Sequence, residues 1–292
     1  MIEFTFIIPS YQQGRFIRRC LDSIWDQGLP RESYEVMIMD GGSKDETASI
    51  VSNHPLQPTF ISEPDRGQAH AVNKGLAQAK GQYIAWINSD DYYHPKAFFF
   101  LREYLLKHPE AKVVYGDGDI VDENERYVCP YPTEDWNHNR LADKCFLCQP
   151  SVIFHRDVFE TVGMLDEDLH LALDLEYWMR AGREFSFTRL PIKVACSRHY
   201  EGTKSNTRPL QMQIEALLVG HKHIGRWSRR RLWSVTENRL IIKKPKLAPE
   251  MIHSNREHLL FWTYKIAGYL RLRSRPSLSK YLEKLLQESP SR

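Results

Sequence analysis

Two adjacent carboxylates, Asp90 and Asp91, stand where the apolar run Tyr83-Ile84-Ala85-Trp86-Ile87 gives out, just before Tyr92-Tyr93-His94-Pro95. A run of that length bounded by turn residues reads as a buried strand, so the pair sits at its carboxyl end. Ligands of open α/β sheets collect at such ends. Carboxylates on a strand-end turn suit a hard divalent cation, and Mg²⁺ typically takes one or two of them while a substrate's phosphates supply further oxygens. The pair therefore reads as a metal-diphosphate site, although Asp-Asp before a Pro-initiated helix also describes a solvated, helix-capping turn. A second candidate is Asp174, which interrupts the apolar stretch Leu171-Ala172-Leu173-Asp174-Leu175. A carboxylate so placed is a candidate general base, since burial would raise its pKa. Trp178, four residues on, shares its helical face, whereas Glu176 does not.

The elements that must position these groups alternate. Phe4 to Ile8 reads as a strand stopped by Pro9, and Phe16, Ile17, Cys20, Leu21, Ile24 and Trp25 recur at helical spacing. Tyr34 to Met39 leads to Asp40-Gly41-Gly42-Ser43, where Ser43 and Glu46 have capping-box spacing for a helix over about 44–51. A strand at Thr59-Phe60-Ile61 ends at Glu63-Pro64-Asp65-Arg66-Gly67-Gln68, and a helix over about 68–79 carries Asn73 and Lys74. Strands alternating with helices imply right-handed crossovers and a parallel sheet. Four strand ends, at Pro9 to Tyr11, Asp40, Asp65-Arg66 and Asp90-Asp91, then face one crevice.

Beyond Val113 the pattern is less regular. A polar and aromatic loop over about 123–144 is long enough to be a lid or an acceptor surface. A strand follows at Gln149 to Phe154, then a short helix, then a helix from Leu171 to Ala181 ended by Gly182. Two short strands, Phe185 to Thr188 and Lys193 to Cys196, precede Arg198-His199, and helical spacing returns from Thr207 to His223.

The composition, 42% hydrophobic and 26% charged over 292 residues, is that of a globular chain. Five cysteines without a paired pattern argue against a disulfide framework, and Cys145-Phe-Leu-Cys148 has no second pair to complete a zinc site. No secretory signal opens the sequence and no apolar run approaches membrane-spanning length, which predicts a cytoplasmic protein. The net charge of +3 hides an asymmetry: residues 220–292 hold 17 Lys and Arg against 5 Asp and Glu, whereas residues 1–219 hold 23 against 32. A boundary is expected near Gly220, with any anionic surface met by the basic tail.

Together these motifs resemble the inverting glycosyltransferases of family 2, which have the GT-A fold, and in particular a bacterial subgroup. The resemblance rests on Glu63 to Gln68, Asn73-Lys74-Gly75, Trp86 to Asp91, Tyr115-Gly116-Asp117, Gln149-Pro150 and Asp174 to Arg180, and covers roughly residues 3–205. One departure from the wider family is Asn88, where an aspartate is commoner; it throws metal binding onto the pair that follows.

The resemblance implies an α/β GT-A fold with a mostly parallel central sheet flanked by helices. Residues 1–219 would form the catalytic domain, its donor half about 1–120 and its acceptor half about 121–219, and residues 220–292 a basic helical extension. Asp91 would bind a divalent cation, Mn²⁺ or Mg²⁺, with His199 as a further ligand, and Asp90 would lie near the ribose or diphosphate. Pro9 and Tyr11 would line the base pocket, Asp40 would hydrogen-bond the base, and Arg66, Gln68 and Lys74 would serve the donor. Asp174 would be the base and Gln149 would lie on the acceptor side; Glu176 would support structure or the acceptor, Trp178 would be a core residue or stack on an acceptor-side sugar, and Arg198-His199 could close over the donor.

The implied reaction moves a sugar from a nucleotide-sugar, UDP-linked for preference, to a glycan or lipid-linked acceptor of a bacterial surface polysaccharide, with inversion. Two other readings share the crevice: a non-catalytic nucleotide-sugar-binding scaffold, and a sugar nucleotidyltransferase. The latter normally carries a Gly-rich phosphate loop, and Pro9 to Arg15 holds one glycine. In the tail, Arg226 to Trp233 interleaves cations and indoles, which suits peripheral binding at the inner face of the cytoplasmic membrane; a helical subdomain that packs its own aromatics is the other reading. Nucleic-acid binding is not expected, because no recognised module accompanies these residues.

Overall fold

The computed structural model describes residues 2–243, 255–275 and 277–287; of the predicted tail, the segments 244–254 and 288–292 lie outside them. The chain divides into two compact units, one of residues 1–137 and 146–200, the other of residues 138–145 and 201–292.

The first unit opens with strand β1 (Phe4–Ser10), helix α1 (Gly14–Trp25), β2 (Tyr34–Asp40), α2 (Thr47–Ser52), β3 (Thr59–Ser62), α3 (Gln68–Gln78) and β4 (Tyr83–Trp86). β3, β2, β1 and β4 lie side by side and parallel, as the alternation predicts. Gly75 is needed for this packing: a Cβ there would come within 2.5 Å of Ile7 Cγ2, so only glycine lets α3 lie this close to β1. Next come β5 (Tyr92–Tyr93), α4 (Ala97–Lys107), β6 (Val113–Val121) and β7 (Tyr127–Pro130). Helix α5 (His138–Asp143) belongs to the second unit, after which β8 (Val152–His155), α6 (Arg156–Val162), α7 (Leu173–Glu184) and β9 (Phe187–Arg198) complete the first.

The sheet order is β3-β2-β1-β4-β8-β6-β9-β5, with β7 beside β6. The α/β class holds, while the parallel character is confined to the first half and to β6 with β9; β8, β7 and β5 pair antiparallel with their neighbours. The core on one face gathers Phe4, Phe6, Ile8, Ile17, Leu21, Ile38, Tyr93, Phe98 and Leu101.

Several boundaries differ from expectation for local reasons. The predicted capping box does not form: the Ser43 hydroxyl donates to Asp40, the N-cap Glu46 makes no side-chain capping bond, and Asp45 before it accepts from the Thr47 N–H and hydroxyl at 3.1 and 2.6 Å. Helix α7 runs through Gly182, because its buried apolar face continues to Ala181 and outweighs the glycine's modest helix penalty. The two expected short strands are one irregular strand, β9, whose register on β6 shifts between Tyr115 and Gly118. The stretch expected as a loop or lid contains β7 and α5.

The second unit consists of α5 with α8 (Lys204–Thr207), α9 (Pro209–Ile224), α10 (Arg229–Lys243), α11 (Asn255–Arg273) and α12 (Leu278–Gln287). Ile214, Leu217, Leu232, Val235, Leu272, Leu278 and Leu282 form its own core. Gly220, where the charge balance changes, lies inside α9 against Ala142 of α5.

Candidate active site

The parallel strands end level: Ser10 on β1 pairs with Asp40 on β2, and Asp40 with Ser62 on β3. Asp40 is fully buried. Its Oδ2 accepts from the Gly42 N–H (3.1 Å), the Ser43 N–H (2.8 Å) and the Ser62 hydroxyl (2.6 Å), and its Oδ1 from the Ser43 hydroxyl (2.6 Å). A carboxylate oxygen has two acceptor directions, so Oδ1 retains one. The Gln12 side-chain oxygen accepts from the Lys44 and Asp45 N–H groups, fastening the turn after β1 to the turn after β2. Tyr11 is 62% exposed beside them. A Cβ at Gly41 would fall 3.2 Å from Tyr11 Cδ2 and 3.0 Å from Asp65 Oδ2, so three strand ends meet there. Pro9 is buried within β1, which leaves Tyr11 as the member of the expected pair presented to solvent.

At the end of β4 a chain of amide contacts joins three of the motifs. Gln68 Nε2 donates to Asn88 Oδ1 (2.6 Å), Asn88 Nδ2 lies 3.3 Å from Gln149 Oε1 and 3.4 Å from Asp91 Oδ2, and Gln149 Nε2 donates to the Trp86 carbonyl (2.8 Å). Gln149 therefore braces the metal-candidate turn. Asp91 is buried, and its Oδ1 accepts from the Arg198 N–H at 2.8 Å. Burial, followed by the charge of Asp90, pushes the Asp91 carboxyl well above the usual carboxylate range.

Asp90 Oδ2 lies 3.2 Å from the Tyr200 hydroxyl. The exposed His199 stands close enough to Asp90 to feel its charge; packed neighbours pull the His199 pKa down and Asp90 opposes them. Asp91 is thus desolvated beside the charge of Asp90, and His199 lies within electrostatic reach of Asp90. A buried carboxylate beside a second one offers oxygen donors that fit a hard divalent cation.

Arg198 does not close over the site. Its guanidinium is buried, donating to the carbonyls of Asp90 (2.8 Å) and Glu123 (2.9 Å) and lying 4.5 Å from the Phe16 ring centre, so it holds the Asp90-Asp91 turn from behind. Arg66 and Lys74 are each paired within the protein: Arg66 with Glu167, Lys74 with Glu63 at 3.1 Å. Arg66 is 70% exposed and can leave its partner, as a donor-binding role requires.

Asp174 lies in the first turn of α7, half-buried. The Leu175 N–H donates to its Oδ1 at 2.8 Å. Glu176 and Trp178 on the same helix point inward. Glu176 is 2% exposed and ion-paired with Arg180 at 2.8 Å, and Arg180 also donates to the Val162 and Met164 carbonyls, so the pair ties α7 to the segment after α6. Trp178 is fully buried among Trp86, Phe154, Tyr177 and Phe187.

Sequence reasoning passed over Asn73 as a positioning residue. Its side chain exchanges two hydrogen bonds with the backbone of Leu165 (2.9 and 3.0 Å) and donates to Glu167 (3.0 Å), pinning the approach to α7 onto α3. The only signal was its place in a motif beside Lys74.

In the second unit, Arg226 pairs with Asp143, Arg231 is buried on the Ala142 carbonyl, Trp227 stacks on His221 and Trp233 packs edge-on against Tyr269. Much of the basic-aromatic stretch is thereby used within the unit. A separate groove of about 730 Å³ is lined by Arg239, Lys243, Arg275, Lys280 and Lys284 together with Leu210, Ile242, Tyr281 and Leu285. No helix among the described residues is long and apolar enough to cross a membrane.

A parallel half-sheet whose strand ends converge on a carboxylate pair, continued by a mixed half that carries a third carboxylate, is the architecture of the GT-A glycosyltransferases. The structure superimposes on S. aureus TarS in complex with UDP-GlcNAc with a TM-score of 0.65 and 18% identity, covering 96% of this chain and 84% of that one. It matches the mannosyltransferase PcManGT of Pyrobaculum calidifontis, in complex with GDP-Man and Mn²⁺, with a TM-score of 0.61 and 18% identity over 98% and 88% of the two chains. In sequence it is 25% identical to an uncharacterized glycosyltransferase of Rickettsia prowazekii over 72% of this chain and 68% of the relative. The model of glycosyl transferase family 2 matches residues 5–163, and the chain belongs to that family.

Proposed function

We propose that this glycosyltransferase uses a divalent cation to transfer a sugar, with inversion, from a UDP-sugar to a hydroxyl of a glycan or lipid-linked acceptor in bacterial surface polysaccharide synthesis. The observation that carries the reading is the buried Asp91 beside Asp90 at the β4 end, braced by Asn88 and by the Arg198 N–H. The structural relatives are bound to UDP-GlcNAc and to GDP-Man with Mn²⁺, which supports a nucleotide-sugar donor and a metal.

Asp91, with Asp90 and His199, would hold the cation, which when bound neutralises charge on a departing diphosphate. Tyr11 presents a ring to the base, and the free acceptor direction of Asp40 Oδ1 suits a base N–H. Arg66, on leaving Glu167, supplies a charge-assisted hydrogen bond to phosphate oxygen. Asp174 takes the proton of the acceptor hydroxyl as its oxygen attacks the anomeric carbon opposite the leaving group. The scaffold reading has no use for Asp174 at its helix N-terminus. In the second unit, the cations and apolar side chains of the groove suit an anionic amphiphile such as a lipid-linked acceptor or a membrane surface.

The test is release of nucleoside diphosphate from UDP-, GDP- and dTDP-sugars with Mn²⁺, Mg²⁺ or EDTA. Metal-dependent turnover of one donor, lost in Asp91→Ala, is expected. Failure to bind any nucleotide, with or without metal, overturns the reading.

A further inference from the structure

His94, Asp119 and Cys196 take no part in the site described above, yet three different strands bring them together. His94 directly follows β5, Asp119 lies on β6 and Cys196 on β9, where Cys196 is the register partner of both Asp119 and Tyr92. One potential ligand atom from each lies within 4.8 Å of the others. His94 Nε2 is 3.1 Å from Asp119 Oδ2 and 3.3 Å from Cys196 Sγ. Such separations are close to the edges of a tetrahedron with nitrogen and oxygen at about 2.0–2.2 Å and sulfur at about 2.3 Å from its centre.

Two further observations point to a ligand. Asp119 is 4% exposed, and its Oδ1 has no hydrogen-bond partner among the described residues, a costly state for a buried carboxylate. The cation that pairs with Asp119, Lys193 (2.8 Å), is itself 58% exposed and can withdraw into solvent. The other charged groups near the cluster are Arg19 and Asp91, and Tyr92 contacts the thiol.

We propose that His94, Asp119 and Cys196 form a second metal site, separate from the carboxylate pair, that takes Zn²⁺. One imidazole, one thiolate and one carboxylate select a borderline-soft ion over Mg²⁺, and three protein ligands leave a fourth position for water. On binding, the Cys196 thiol gives its proton to solvent as the metal–sulfur bond forms, and the Lys193 ammonium leaves Asp119 Oδ2. The ion joins β5, β6 and β9 at the base of the catalytic turn: His94 is three residues after Asp91, and Cys196 is two residues before Arg198, whose N–H holds Asp91. Its role is therefore to fix that turn, whatever donor the enzyme uses.

The test is titration of the chelator-stripped full chain with Co²⁺, a spectroscopic substitute for Zn²⁺. We expect one equivalent to produce intense tetrahedral d–d bands and a thiolate-to-cobalt charge-transfer band, both bleached by Zn²⁺. Cys196→Ser abolishes the charge-transfer band, Asp119→Asn weakens binding by at least about tenfold, and Asp91→Asn leaves the band in place. Absence of the band in the wild type overturns the proposal, as does its persistence in Cys196→Ser, which would assign it to another cysteine. Should Cys196→Ser fail to fold, unchanged Co²⁺ affinity in folded Asp119→Asn overturns it equally.

Discussion

The Asp91 carboxylate accepts a hydrogen bond from the backbone N–H of Arg198, 107 residues further along the chain, at 2.8 Å. Because that donor is main chain, the contact survives substitution of Arg198, while the guanidinium holding the Asp90 and Glu123 carbonyls does not. A lysine keeps the charge but not the fork. Arg198→Lys should lower stability by about 2 kcal/mol, since hydrogen bonds from a charged donor are worth about 1.5–3 kcal/mol each. It should also raise the metal concentration needed for half-maximal turnover. Thermal melts and Mn²⁺ titrations of activity check both; a variant that melts and titrates like wild type removes Arg198 from the site's support.

Asp91 lies buried beside a like charge, a situation that a bound cation relieves and an amide avoids. Asp91→Asn should therefore raise the Tm of the EDTA-treated protein by about 2–4 °C, the shift expected for ~1 kcal/mol in a domain of this size. It should also abolish the Mn²⁺-dependent rise in Tm and the activity. Retention of the Mn²⁺ effect on Tm would move the catalytic metal elsewhere.

Asp174 differs in kind, because the proposed base touches the acceptor and not the donor. Asp174→Asn should leave UDP-sugar affinity within about twofold and lower kcat by roughly 10²–10⁴, the range for loss of a general base. Calorimetric donor binding set against steady-state turnover separates the two. A matched loss of affinity and turnover would make Asp174 a donor-binding group.

The motif order let the parallel half-sheet and the carboxylate pair be read directly, since a short apolar run that gives way to Asp90-Asp91 puts both carboxylates at a strand terminus. Glu176 and Trp178 were harder. They share a short motif with Asp174, but α7 is buried over most of its circumference, so spacing could not say which side chains face the crevice. The mixed half of the sheet was hidden for a different reason: β8 inserts antiparallel between β4 and β6, a long-range pairing with no local sequence mark. The same holds for His94, Asp119 and Cys196, which only register on β9 unites.

Glu167 connects Arg66 with Asn73, and its carboxyl is held below the usual range, first by the Asn73 hydrogen bond and then by Arg66. A depressed folded pKa contributes stability above the unfolded value, near 4.3 for Glu, and that contribution disappears as pH falls through the folded value. The pair is partly solvated, so the contribution is about 0.5–1 kcal/mol. Glu167→Gln should melt below wild type at neutral pH, and the two should converge on acidification below about pH 4. A gap that is constant with pH would mean that packing, not charge, ties the approach to α7.

The groove of the second unit offers the last test, because its five cations stand among Leu210, Ile242, Tyr281 and Leu285 and not on an open polar face. On α11, Trp262, Ile266 and Leu270 follow at intervals of four and are 43%, 47% and 55% exposed, which adds an apolar face to the same unit. Each Lys or Arg near an anionic bilayer is worth about 1 kcal/mol, so reversing two of them should cost well over tenfold in partitioning. Arg239→Glu with Lys280→Glu should therefore release the protein from vesicles containing phosphatidylglycerol while leaving turnover of a soluble acceptor unchanged. Raising the salt should release the wild type as well, since the attraction is screened within a Debye length. Sedimentation that is indifferent to both charge reversal and salt would leave the groove without a membrane role and return the basic residues to packing within the unit.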